Sequence, residues 1–496
     1  MNRRSLIGLL VLYGASGWAE TTNHISLEEL RQVRLPDVTL ESITPVIPDG
    51  QKRPNAAAYV EVKGVIGEHI RFELLLPEVW NGRFVMGGGG GFVGTVQNAA
   101  RDSVNKGYAT VGTDTGHQSQ PGYIATWALD NLEAKVNFGY LAVHRTAEAT
   151  KALLRSYYRA DATHCYFVGC SRGGGQAMME AQRYPKDFDG IVAGAPAFHW
   201  TGLAAKMISI AKALYPDPAH LEGTVLTKEA LQKLQAGILE QCDAQDGLKD
   251  GVIQDPASAH FDLTKVSGLT DEQRKAVEAI YQAARNDKGP IYPGFAPVAE
   301  CDPDQWIAWL TGPVPAFAKD HVPDLTFAFA TQIFKYLIFN DPDWNYATYD
   351  FSNFEREGRL AASFLNATNP DLSAFKARNG KLILWHGWAD PALPAQATID
   401  YYREVQAHDG QAGDYCRLFL VPGCLHCGGG PGAAEVDWLS VIVDWVEHDK
   451  APDRLIASKR ANSKVVMTRP LYPYPDHAMF RGGSDTNSAD SFERKH

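Results

Sequence analysis

Three short stretches carry residue types that could do hydrolytic chemistry. The first is Gly169-Cys170-Ser171-Arg172-Gly173, a G-x-S-x-G pattern with an apolar run before it and a helical pattern after it. A sharp strand-to-helix turn there lifts a serine hydroxyl clear of a sheet, and the helix N-terminus favours developing negative charge. Read alone, the pattern also fits a turn with a serine N-cap; the strand–helix context favours a nucleophile. The second stretch, His386-Gly387-Trp388-Ala389-Asp390-Pro391, puts an aspartate on a loop behind a late strand. The third, Pro422-Gly423-Cys424-Leu425-His426-Cys427-Gly428, puts a histidine on a glycine-rich loop. Each residue alone could be a capped turn or a surface histidine. Together they follow the α/β-hydrolase order Ser, Asp, His. Ser171 is expected as nucleophile, His426 as the base that takes its proton, and Asp390 as the acid that fixes the imidazole tautomer.

Cysteine placement bears on the same site. Cys170 directly precedes Ser171 and Cys427 directly follows His426. If hydroxyl and imidazole are within hydrogen-bond reach, their neighbours fall near the ~4.4–6.8 Å Cα span of a disulfide. The alternative is two free buried thiols.

Two further motifs have rival readings. Gly89, Gly91 and Gly94 satisfy G-x-G-x-x-G with Asp114 beyond, a dinucleotide-binding fingerprint. That reading leaves the downstream Ser, Asp and His without a role. The preferred reading is an oxyanion loop, in which the N–H groups of Gly88 and Gly89 join that of Arg172 around a tetrahedral intermediate. In the second motif, Asp243, Asp246 and Asp250 fall within eight residues among turn-forming glycines. They could wrap a hard cation or form a solvated acidic turn; the spacing is not that of an EF-hand.

The elements that must position these residues follow from periodicity. Residues 58–76, 83–86 and 108–113 read as strands, the segment near 95–105 as a helix, and 138–159 as a helix. A strand over 164–169, a helix over 172–184 and a strand over 191–194 complete an alternation that argues for an α/β fold with a mostly parallel sheet. From 199 to 370 the chain is helix-rich and aromatic without that alternation, as in an inserted domain. Strands resume at 381–386 and 417–421, and 434–448 reads as an amphipathic closing helix.

The 496 residues need no disulfide framework to build a core, and 47 basic against 58 acidic residues give a net charge of −11. That charge repels polyphosphate, so no nucleic-acid partner is expected. Arg3 and Arg4, the apolar stretch 6–15, and small residues at Gly17 and Ala19 read as a secretory signal of residues 1–19. The apolar run is too short to span a bilayer, so a secreted or periplasmic protein without membrane attachment after cleavage is expected. Outside the cell, cysteines can pair. The expected organisation is a core over 20–198 and 371–475, a lid over 199–370, and a flexible tail over 476–496.

The stretch 167–197, together with W-H-G-W-A-D-P, H-C-G-G-G-P-G and D-P-D-W at 341–344, resembles the tannase and feruloyl esterase family. The resemblance runs from about residue 40 to 470. It implies an α/β-hydrolase core with a large helix-rich lid, the triad Ser171, Asp390 and His426, and a Cys170–Cys427 bridge. It also implies structural calcium in the lid, held by side chains of Asp243, Asp246 and Asp250 and main-chain oxygens of Leu248 and Val252. No organic cofactor is implied. The chain departs from the family in lacking a second cysteine after the calcium loop, so Cys242 pairs elsewhere, with Cys301 the nearest candidate, or stays free. Cys424 has no assigned partner.

The resulting expectation is a serine carboxylesterase acting on small aromatic esters, hydroxycinnamate esters first. Gallate esters and mono(2-hydroxyethyl) terephthalate are alternatives; a dinucleotide-binding redox protein and a noncatalytic relative are those of other classes. Leu393, Phe334 and Tyr336 are candidates for the substrate wall, with Trp306, Trp309, Phe327 and Phe329 further lid aromatics; each of the aromatics reads as lid core before pocket wall, and Leu393, just after the acid, as closer to substrate.

Overall fold

A computed structural model describes residues 24–49, 56–298 and 302–496. The proposed signal at 1–19 and Cys301 lie outside them. In chain order, β1 (Val38–Val46), β2 (Tyr59–Ile66) and β3 (Ile70–Pro77) form an antiparallel meander. β4 (Arg83–Gly87), β5 (Ala109–Thr113), β6 (His164–Cys170) and β7 (Gly190–Gly194) follow. The chain then runs through a long helical segment whose hairpin pairs β8 (Ala284–Asn286) with β9 (Gly289–Tyr292). It returns to the sheet with β10 (Lys381–Gly387) and β11 (Cys416–Val421).

Nine strands among the described residues join in the order β1-β2-β3-β5-β4-β6-β7-β10-β11. Every pair from β5 to β11 is parallel. Neighbouring residues on these strands point to opposite faces, and both faces are covered, so the strands are apolar throughout. Phe84, Phe167, Ile191, Leu382 and Leu418 pack into the larger core, which includes Leu153, Met178 and Ile399 from crossover helices. Val85, Tyr166, Val192, Ile383 and Phe419 pack with Ile442 and Trp445 of the helix Trp438–His448. The architecture is that of an α/β-hydrolase fold. The loops after β4, β6, β10 and β11 meet at the carboxyl ends of the strands, where open α/β sheets bind ligands.

Two local expectations are corrected. The segment near 95–105 is not an α-helix but a loop ending in a 3₁₀ turn, Arg101–Lys106. The Gln97 N–H donates to the Thr113 carbonyl (3.3 Å), and Asn98 Oδ1 accepts from Ala100 N–H (2.9 Å), so the backbone there is committed to β5 and a local turn. The segment 476–496 is not a loose tail. After the hairpin β12 (Leu455–Ala461) and β13 (Lys464–Leu471), β14 (His477–Phe480) pairs with β15 (Phe492–Lys495). Buried Phe492 meets the Phe480 ring edge-on at 5.6 Å and lies under the Arg469 guanidinium at 4.4 Å.

Candidate active site

Ser171 sits between β6 and the helix Arg172–Arg183 with φ +62° and ψ −125°, a backbone state that an L-residue holds only when its surroundings enforce it. Close packing does so here. A Cβ on Gly169 would come within 2.4 Å of the Gly173 backbone, and one on Gly88 within 2.6 Å of Gly173 Cα. Only glycine at these positions lets the strand, the helix and the glycine loop converge on the serine.

The loops after β10 and β11 bring the other two residues to it. His426 Nε2 lies 2.9 Å from Ser171 Oγ, and His426 Nδ1 lies 2.8 Å from Asp390 Oδ2. Asp390 is nearly inaccessible, and its Oδ1 accepts from the N–H groups of Ala392 (2.8 Å) and Leu393 (3.0 Å). Burial alone would raise its carboxyl, yet the charges and hydrogen bonds of His426 and His386 hold it well below the usual carboxylate range. His386 is a partner that motif reading did not single out. It is buried at the end of β10, with Nε2 3.3 Å from Asp390 Oδ2 and 3.0 Å from the Leu393 carbonyl, and Nδ1 2.8 Å from Thr398 Oγ1.

Cys170 and Cys427 form a disulfide with Cα atoms 5.9 Å apart. The bridge joins the turn bearing Ser171 to the loop bearing His426. Cys165, Cys242, Cys416 and Cys424 are free thiols; Cys242 Sγ faces the His260 carbonyl at 3.7 Å and Cys424 Sγ the Leu425 carbonyl at 3.3 Å.

The glycine loop differs from expectation in which amides it offers. Gly88 N–H donates to the Val168 carbonyl (2.9 Å), and Gly89 N–H to Gln176 Oε1 (3.2 Å). Both predicted oxyanion donors are therefore already engaged, as is Gly90 N–H on Gln97 Oε1 (2.7 Å). Gly91, with φ +57°, lines the cleft beside Ser171, Arg172 and His426, and its N–H meets no acceptor among the described residues. Arg172 begins its helix, so its N–H has no intrahelical partner. Its side chain turns inward, donating to the carbonyls of Phe138 and Gly139 and stacking on the Phe138 ring at 4.4 Å. Asp114, the acid of the dinucleotide reading, accepts from Arg71 N–H, Gly116 N–H and Gln118 Nε2 and so ties β5 to its neighbours.

The cleft over Ser171 is apolar. Trp200, Leu203 and Met207 from the helix Trp200–Leu214 form one wall, and Trp309, Phe329 and Ile333 the other, with Leu393 beside them. The Trp309 ring meets the His426 ring edge-on at 4.9 Å and stacks on Phe329 at 6.1 Å. Leu393 lines the cleft beside Ala392 and His426. Phe334 and Tyr336 are not in this wall; Phe334 is fully buried against Trp344 (4.6 Å) in the larger core. Trp306 and Phe327 also belong to that core, Phe327 packing edge-on to Tyr215.

In the aspartate loop, Asp243 Oδ1 accepts from Gly251 N–H and Asp246 Oδ2 from Gln254 N–H, which curls the chain around the carboxylates. Burial and the nearby charges of Asp250 and Asp243 push Asp246 up to about 6, and burial raises Asp243. Asp250 Oδ2 pairs with buried Arg469 at 2.8 Å. Asp243 and Asp246 are hard-oxygen donors whose negative charge burial disfavours, a pair that a cation would offset. The three carboxylates do not all bring oxygens within 4.8 Å of one another, so main-chain oxygens would have to complete the roomy shell of calcium, whose ligands stand at about 2.3–2.6 Å.

Residues 57–495 match the family model described as tannase and feruloyl esterase. A probable feruloyl esterase of Arthroderma benhamiae is 33% identical, covering 85% of this chain and 81% of its own. The mono(2-hydroxyethyl) terephthalate hydrolase of Piscinibacter sakaiensis is 30% identical, covering 88% of this chain and 84% of its own. The crystal structure of feruloyl esterase B from Aspergillus oryzae superposes with a TM-score of 0.81 at 25% identity, covering 95% of this chain and 99% of that one.

Proposed function

The chain belongs to the tannase and feruloyl esterase family and is a carboxylic ester hydrolase, and from that premise we propose that it cleaves hydroxycinnamate esters through a serine acyl-enzyme. Ser171 Oγ attacks the ester carbon while His426 Nε2 takes its proton. Asp390, held ionised by its donors, keeps the Nδ1–H tautomer and stabilises the imidazolium. The N–H groups of Arg172 and Gly91 stabilise the oxyanion, each such donor being worth about 3–4 kcal/mol by analogy with measured oxyanion holes. His426 then protonates the leaving alcohol and activates the water that frees the acid.

The observation that carries the substrate class is the apolar wall. Trp200, Leu203, Met207, Phe329 and Ile333 suit a neutral aromatic acyl group. Among the described residues lining the cleft, no charged side chain faces a carboxylate opposite the scissile ester, as in terephthalate monoesters, because the Arg172 guanidinium is turned away, and beyond Ser171 and His426 only the indole N–H groups of Trp200 and Trp309 are polar side-chain donors for the three hydroxyls of gallate. Release outside the cytoplasm is part of the proposal, supported by the apolar N-terminal stretch and the Cys170–Cys427 disulfide; among the described residues no helix is long and apolar enough to cross a membrane. Asp243, Asp246 and Asp250 with main-chain oxygens of Leu248 and Val252 would hold calcium, which supplies neutralising charge to the lid and takes no part in the reaction. The test is kcat/KM on methyl ferulate, methyl gallate and mono(2-hydroxyethyl) terephthalate. Methyl ferulate should be preferred at least tenfold; preference for either of the others refutes the substrate class.

A further inference from the structure

At the opposite end of the helix that Ser171 opens, three polar side chains converge where the hydrolytic site has no use for them. Glu180 has no exposed surface, and neither of its carboxylate oxygens meets a hydrogen-bond donor among the described residues. Asp187, in the turn leading to β7, and His144, in the helix Ala142–Tyr158, each aim an atom at it. One nitrogen of His144 and one oxygen each of Glu180 and Asp187 all lie within 4.8 Å of one another.

The imidazole is held for this position. His144 Nδ1 is 2.6 Å from Asp187 Oδ2, Nε2 is 3.3 Å from Glu148 Oε2, and the ring stacks on Tyr184 at 3.8 Å and 4°. The charge of Lys151 reaches Glu180, but no hydrogen bond joins them among the described residues. Lys151 donates to the main-chain carbonyl of Asp187 and lies over the Phe188 ring at 4.8 Å. A carboxylate removed from water with no donor must carry a proton or meet a cation.

We propose that His144, Glu180 and Asp187 bind a divalent first-row transition ion of the zinc type. One imidazole nitrogen and two carboxylate oxygens are a three-ligand protein set suited to such an ion. The His144 side chain is 20% exposed, which leaves a fourth position to water. On binding, the histidine proton moves from Nδ1 to Nε2, where Glu148 accepts it as an outer partner. Any proton on Glu180 is released to solvent. Two negative carboxylates and one divalent ion leave the buried centre neutral. The ion ties the helix Ala142–Tyr158 to the far end of the helix Arg172–Arg183, about 12 Å along the axis from the amide beside the nucleophile. Its role is to fix that helix rather than to take part in the reaction.

The test uses the full chain, stripped with chelator, dialysed, saturated with calcium and titrated with zinc chloride by calorimetry, with thermal melts in parallel. One zinc per chain and a raised Tm are expected, and the Glu180→Gln and His144→Ala variants should lose both. Glu180→Gln mimics a protonated carboxyl, so it separates a metal site from a shared proton. Absence of stoichiometric zinc binding, with Glu180→Gln melting at or above the unsubstituted chain, overturns the proposal. Zinc binding that both variants leave unchanged also overturns it, because the ion then sits elsewhere. If Glu180→Gln fails to fold, the partly exposed His144→Ala decides by the same readouts.

Discussion

Asp390 in the hydrolase core and Asp324 in the lid are both removed from water, and they respond in opposite directions. Asp390 receives two backbone N–H groups and faces two histidines, and its carboxyl is held below the ordinary range. Asp324 caps the helix Leu325–Gln332, accepting from Phe327 N–H (2.7 Å) and Tyr215 OH (2.8 Å), and burial pushes it up to about 7. Glu180, whose carboxylate oxygens meet no donor among the described residues, is likewise pushed up, by burial first and then by the charge of Asp187. Burial thus does not decide the charge of a carboxylate; the donors and neighbouring charges around it do. The core spends four such partners on Asp390 because the proposed chemistry needs a permanent anion behind His426, whereas the lid aspartate needs only to cap a helix.

The sharpest break of this comparison is Asp390→Asn, which keeps an acceptor for Ala392 and Leu393 N–H but removes the anion. By the triad precedent, kcat/KM should fall about 10⁴-fold, with Tm close to that of the unsubstituted chain; a loss under tenfold contradicts the assigned role. Next is the covalent tie that keeps the two halves of the core in register. The Cys170–Cys427 bridge spans 257 residues, and the chain-entropy estimate for so long a loop is on the order of 5 kcal/mol as an upper bound. Reduction, or replacement of both cysteines by alanine, should lower both Tm and kcat; unchanged denaturant unfolding speaks against it.

The lid side of the comparison predicts a pH effect. Asp324 has a folded pKa of about 7, above an unfolded value of about 3.9, so the native state binds the extra proton. Its stabilisation is complete below the unfolded pKa and is lost as pH rises toward and through 7. Asp324→Asn retains a cap oxygen without the charge, so it should gain Tm relative to the unsubstituted chain at pH 8 and not at pH 4; an equal shift at both removes the assignment. The smallest effect concerns the aspartate loop. Chelation of calcium should lower Tm by a few degrees, the response expected from loss of about 1–2 kcal/mol in a chain of this size, and calcium should restore it. An unchanged Tm together with no calcium by elemental analysis rejects the ion.

Sequence alone located the residues that sit at sheet ends. Ser171, Asp390 and His426 each follow an apolar strand and precede a turn, so strand order and turn chemistry suffice to find them, and the adjacent cysteines add a distance constraint. What was not legible depends on side chains arriving from elsewhere. Gly88, Gly89 and Gly91 are indistinguishable as glycines; only the placement of Gln97, Gln176 and Val168 determines which amide remains open. Phe334 and Tyr336 could not be told from Phe329 and Ile333, because the helix Leu325–Gln332 and its continuation have no single apolar face and their phase toward the cleft is set by packing. Trp200, Leu203 and Met207 left a weak signal, an almost uninterrupted apolar helix directly after β7. His386 reads in sequence as the last residue of a strand, and its reach to Asp390 depends on how the following turn doubles back. The polar composition of 476–496 hides two four-residue strands whose pairing closes over an intervening loop.

The central claim, an acyl-enzyme on Ser171, is tested most directly by intact-mass and peptide-level analysis after rapid quenching of a reaction with the p-nitrophenyl ester of ferulic acid. A single feruloyl adduct is expected, located on the peptide that contains Ser171 and absent from Ser171→Ala, with hydrolysis lost in the same variant while its Tm is retained. Turnover that survives in Ser171→Ala, or an adduct carried by another residue, contradicts it.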